Sequence, residues 1–123
     1  MKLHFIPDGA LDTPALLLAN AEPEAVRRLA EALADAELRE IALHTLPGIE
    51  SVGGVKLTAS TAKTDLGVRA VGELHFDWEM DAEGWLGVID LLEPFTHPCG
   101  SPRFQYLHRT RGISVIISTG ESW

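Results

Sequence analysis

Cysteine occurs once in this chain, as Cys99. No intramolecular disulfide can form, which excludes the disulfide-stapled scaffolds of small secreted domains and fits a reducing compartment. Cations are scarce as well: ten Lys and Arg stand against eighteen Asp and Glu, for a net charge of −8. A field of that sign repels phosphate backbones and argues against nucleic-acid binding, whereas it would attract a basic protein. Long apolar runs are missing too, and nothing approaches the roughly 20 residues needed to cross a bilayer. Lys2, the apolar residues 15–19 and Ala19-Asn20-Ala21 together imitate a signal peptide, but Pro7, Asp8, Gly9 and Asp12 interrupt the span where its apolar segment should lie. The expectation is an unprocessed cytoplasmic protein with no membrane association.

What remains is ordinary for one folded domain. The chain has 123 residues, 46% of them hydrophobic, enough for a single core spanning 1–123, and its 23% of charged residues does not suggest disorder. There is no repeat, linker or low-complexity tract.

Residues 2–6, "KLHFI", read as a strand closed by Pro7-Asp8-Gly9, and "PALLLA" (14–19) as a buried strand. A helix follows, with Pro23 at its first position and Val26, Leu29, Ala30 and Leu33 at helical spacing. Glu24 with Arg28, and Arg27 with Glu31, are spaced to pair one turn apart. "LREIALHTL" (38–46) alternates without a clean apolar face and reads as a strand before the Pro47-Gly48 turn. Gly53-Gly54 opens another strand, with Val55, Leu57 and Ala59 inward, and "KTDLG" (63–67) suits a hairpin turn into the long alternating run 68–80. Asp81 is placed to cap a second helix with Trp85, Val88, Ile89 and Leu92 as its buried stripe, broadened by Leu86 and Leu91 and ended by Pro94. Gly84 and Gly87 weaken that helix by about 1 kcal/mol each. After a loop at 96–103, "FQYLHR" and "ISVIIST" form a final hairpin whose second strand is apolar on both faces and therefore central. The fold class expected is α+β, a mostly antiparallel sheet with two amphipathic helices packed on one face.

Within 68–80, "ELHFDWEM" places Glu73, His75, Asp77 and Glu79 on one side of a strand and Leu74, Phe76, Trp78 and Met80 on the other. His with carboxylates is metal-ligand chemistry, yet so clean an alternation is what a strand with one wet face requires, and Lys56, Thr58 and Ser60 are expected across from it. "HPC" (97–99) pairs an imidazole with a thiol in a loop, but a structural zinc site needs four ligands and only one cysteine exists. Neither Gly53-Gly54 nor "STGES" completes a phosphate loop or a nucleophile elbow. Arg103, Arg109 and Arg111 with His108 form the one local basic cluster, suited to an anion or an acidic partner. Trp78 and Trp85 belong to the core, while Trp123, as the last residue, fits either a core edge or an interface.

The resulting expectation is a protein-binding domain that needs no cofactor or metal and acts through acidic surface on a basic protein partner. A small neutraliser of a cationic toxin, of the immunity-protein kind, is the most concrete version. Its candidate contact residues are Glu73, Asp77, Glu79, Asp81, Glu83, Asp90 and Trp123. The alternative is a small metal- or thiol-dependent enzyme using His75, Asp77, His97 and Cys99, with His108 as a further ligand. Both are compatible with a homodimer.

Overall fold

The computed structural model describes residues 1–10, 13–98, 100–110 and 112–122. In chain order these form β1 (Lys2–Ala10), β2 (Thr13–Ala19), α1 (Pro23–Ala34), β3 (Ile41–Ala42), β4 (Glu50–Ser51), β5 (Lys56–Thr61), β6 (Gly67–Gly72), β7 (His75–Met80), α2 (Ala82–Leu92), β8 (Phe104–His108) and β9 (Ser114–Ser118). Two 3-10 turns, Leu43–Thr45 and Glu93–Thr96, complete the order. The α+β class and the antiparallel majority hold: four of the seven strand pairings are antiparallel and three parallel. The strands divide into two mixed sheets, ordered β4-β1-β2-β9-β8 and β3-β5-β7-β6. An isolated bridge between Val68 on β6 and Ile113, just before β9, ties one sheet to the other.

One apolar cluster joins the inner faces of both sheets to the helices. Leu3, Leu16, Leu18, Val115 and Ile117 come from the five-stranded sheet, and Leu57, Ala59, Phe76, Trp78 and Met80 from the four-stranded one. Val26, Leu29 and Leu33 of α1 and Trp85, Val88 and Leu92 of α2 fill the space between. The Trp78 and Trp85 rings meet edge to face with centroids 4.8 Å apart, and Phe5 lies 4.8 Å from Phe76 across the two sheets. As expected, β9 is interior and buried along its whole length; with β2 it also forms a second cluster on the opposite sheet face, from Ala15, Leu17, Ala19 and Ile116.

Several local expectations change. The run 68–80 is a hairpin rather than one strand: the chain turns at Glu73-Leu74, where Leu74 adopts φ +51°. The 63–67 segment does not join hairpin neighbours, because β5 pairs in parallel with β7 while β6 occupies the other edge of β7. That segment instead fastens to the end of β7 and the start of α2: Ala62 and Leu66 donate to the carbonyls of Met80 and Glu79, and Asp65 Oδ1 accepts from Asp81 N at 2.8 Å. Only Ile41–Ala42 of the 38–46 stretch is strand, since the chain tightens into a 3-10 turn at Leu43 and Leu38 stays 85% exposed. Arg28 pairs with Glu24 at 2.9 Å, but Arg27 leaves Glu31 and donates to Thr96 O at 2.6 Å, where the turn after α2 presents a free carbonyl. On α2 the Asp81 cap forms, its Oδ1 accepting from Gly84 N at 2.7 Å. Leu86 does not broaden the buried stripe: it is 63% exposed.

The two glycines of α2 have different surroundings. A Cβ on Gly87 would meet nothing within 4 Å, whereas one on Gly84 would land on Asp65 Oδ1 and reach Met80 Cε at 3.0 Å. Gly87→Ala should therefore stabilise the protein by close to the propensity gain, about 0.8–1 kcal/mol. Gly84→Ala gains the same propensity but dislodges the carboxylate from Asp81 N, and should destabilise by about 1 kcal/mol net. Urea unfolding of the two variants checks this; equal stabilisation by both would contradict the packing of Asp65 against α2.

Candidate functional site

The polar face of β7 is set by register. Lys56, Thr58 and Ser60 of β5 stand beside His75, Asp77 and Glu79, and Arg69 of β6 stands opposite Asp77. Phe76, Trp78 and Met80 point the other way, into the core. Arg69 Nη2 approaches Glu79 Oε1 to 2.9 Å, but off the hydrogen-bond direction, so the contact is electrostatic and that buried oxygen has no directed donor. A cation of β6 thus answers one acid of this row, while Lys56 of β5 stands beside His75, as on a solvated sheet face.

The other candidate acids are used differently. Asp81 is spent on the helix cap. Glu73 lies in the β6–β7 turn and is exposed, and Glu83 and Asp90 are exposed on α2. Trp123, Cys99 and Arg111 lie outside the described residues.

The histidines have separate surroundings. His75 begins β7, between Lys56 and Gly72. His97 Nε2 lies 3.0 Å from Glu93 Oε1 at the end of α2. His108 ends β8 and packs over Gly67, which pairs with Glu79 at the far end of β7, about 13 Å of strand away from His75. Among the described residues, no group of three or more His, Cys, Asp or Glu is placed to hold a metal ion. His44, which the motif search passed over, accepts a 3.1 Å hydrogen bond from Leu57 N through Nδ1 and so ties the 3-10 turn to β5.

The basic cluster is also dispersed. Arg109 lies over the Tyr106 ring at 5.0 Å, and His108 is half-buried where β8 meets β6. Arg103 turns toward the end of α2, where its Nη2 donates to Pro94 O at 2.6 Å and its guanidinium sits 5.1 Å from the Phe95 ring centre. Together with Arg27 on Thr96 O, it supplies cations at the carbonyl end of α2. Sequence spacing carried no signal for either contact, because each joins elements far apart in the chain.

A small groove of about 160 Å³ runs between α1 and α2, lined by Leu33, Ala34 and Glu37 on one side and Ala82, Leu86 and Ile89 on the other. The small Ala34 and Ala82 leave Leu86 standing proud of the surface. No helix among the described residues is long and apolar enough to cross a membrane. No family model, curated protein or solved structure matches this chain.

Burial holds the His108 pKa below its ordinary 6.5, with Asp65 pulling weakly in the other direction. The folded protein therefore prefers neutral His108, while the unfolded chain takes up a proton near pH 6.5. The stability that this difference contributes is complete above pH 6.5 and is lost as pH falls below it. Replacing His108 by Gln removes this component, so urea unfolding at pH 7.5 and pH 5.0 should show a smaller acid loss in the variant. Equal losses in both proteins would contradict a desolvated His108.

Proposed function

We propose that the protein is a non-enzymatic binding domain that docks on a basic protein partner through α2, as a small neutraliser of a cationic toxin would. The observation that carries this reading is the outward face of α2. Glu83 and Asp90 are two turns apart on one side of the helix, and between them Leu86 is 63% exposed beside the α1–α2 groove. An aliphatic anchor next to a shallow groove, rimmed by acids, is the pattern in which a central apolar contact supplies affinity and charge supplies orientation and speed. Arg69 meets Glu79 of β7, whereas among the described residues neither Glu83 nor Asp90 of α2 has an ion-pair partner, so the net charge of −8 is best offered to a partner at the helix. Glu37 extends the same sign of charge along the groove.

The test is association kinetics with a basic protein captured from the source cells. Glu83→Lys with Asp90→Lys should slow association at least tenfold at low salt, with the difference shrinking as ionic strength rises. Leu86→Ala should speed dissociation while leaving stability within about 0.5 kcal/mol, because the side chain is exposed. An unchanged association rate in the charge-reversed protein would remove this function from α2.

A further inference from the structure

We propose that the cavity beside Arg103 binds a small organic anion, one carboxylate or phosphate group on an apolar body. The cavity encloses about 410 Å³, a size that accommodates small ligands. Ala21 and Pro23 line it at the start of α1, Phe95 and His97 from the turn after α2, and Arg103 and Thr119 from the residues just before β8 and just after β9.

Charge is the first reason. Arg103 is a permanent cation whose Nη2 has only the neutral carbonyl of Pro94, and whose Nε is buried with no acceptor. In a chain with eighteen acids, no described carboxylate comes within ion-pairing distance of it; even Glu121, across a neighbouring cavity that Arg103 also lines, does not. With Nε closed off by the protein, the guanidinium meets an anion through its terminal nitrogens, Nη2 keeping a second N–H besides the one given to Pro94 O. A guanidinium with no carboxylate partner among the described residues keeps its charge available to an anion in the cavity that it lines.

The surroundings agree in sign and shape. Arg27 brings a second guanidinium to the same turn through Thr96 O. α1 begins here with no side-chain cap on its first N–H groups, and its two acids do not line the cavity: Glu24 pairs with Arg28, and exposed Glu22 lines a different pocket. Glu93, the nearest acid on the turn, is held by His97 at 3.0 Å. The Phe95 ring, Pro23 and Ala21 give an apolar wall against which the body of the ligand rests while its head group meets Arg103. None of Glu83, Leu86 and Asp90 lines this cavity, so the site and the α2 docking face stand or fall separately.

The test is an amide chemical-shift titration of the ¹⁵N-labelled protein with phenylacetate, phenyl phosphate and the neutral 2-phenylethanol. Saturable shifts at Ala21, Phe95, His97 and Thr119 are expected with at least one of the two anions, and the alcohol should bind at least tenfold more weakly. The tighter of the two anions identifies the head group. Arg103→Gln should weaken the anion at least tenfold. Ala21→Leu, which fills the cavity and leaves the guanidinium in place, should do the same and covers the case in which loss of Arg103 disturbs the turn. Absence of saturable shifts with both anions, equal binding of the alcohol, or unchanged binding in Ala21→Leu would overturn the proposal.

Discussion

Trp85 meets Trp78 edge to face with ring centroids 4.8 Å apart, and both indoles are buried where α2 crosses the four-stranded sheet. Trp85 Nε1 donates to Ser60 O on β5 at 3.0 Å, so the helix is referenced to β5 and β7 at once. Trp78 Nε1 finds no acceptor. Leaving that donor dry costs about 1–3 kcal/mol, while burying some 150–250 Å² of indole at about 25 cal/mol per Å² returns roughly 4–6 kcal/mol. The apolar term wins, and the contact sets where α2 lies. Its ends are then held from elsewhere, by Asp65 on Asp81 N at the start and by Arg27 and Arg103 on Thr96 O and Pro94 O beyond the finish. A helix positioned in three places presents a defined outward face, and that face carries Glu83, Leu86 and Asp90.

The distribution of charge follows from the same packing. On the outer face of the four-stranded sheet, Arg69 meets Glu79 and Lys56 stands beside His75, so part of that row's charge is answered within the fold. On α2 the acids stand beside an exposed leucine and a groove instead of beside cations. At the far end of that helix the sign reverses: Arg27 and Arg103 gather around neutral carbonyls, and among the described residues neither pairs with a carboxylate. One helix therefore connects a face carrying exposed acids to the turn beside the Arg103 cavity.

Period-two alternation was enough to place Phe76, Trp78 and Met80 in the core, and the unbroken apolar run Val115-Ile116-Ile117 was enough to make β9 interior. The Asp81 cap was legible because it is a local contact, three residues long. The hairpin at Glu73-Leu74 was not, because polar and apolar residues keep alternating straight through it and no Pro or Asn-Gly marks the turn; Leu74 takes a positive φ that its side chain disfavours. The parallel pairing of β5 with β7 skips β6, a non-local choice that residue patterns do not encode. At the candidate site, Asp81 was expected both as the cap and as a contact acid; its carboxylate is used in the cap, while Glu83 and Asp90 are exposed on the helix. Leu86 was misplaced for a related reason: helical spacing defines a stripe but not its width, which depends on how closely α1 approaches.

The central claim is that the fold leaves α2, and not the polar row of β7, as the surface that receives a cation. The most direct measurement is amide shift mapping of the labelled protein with a short amphipathic lysine-leucine peptide at low salt. The account predicts that shifts centre on Glu83, Leu86 and Asp90 and on the α1 residues lining the groove, with His75, Asp77 and Glu79 little affected. Shifts centred on His75, Asp77 and Glu79, with α2 silent, would contradict it.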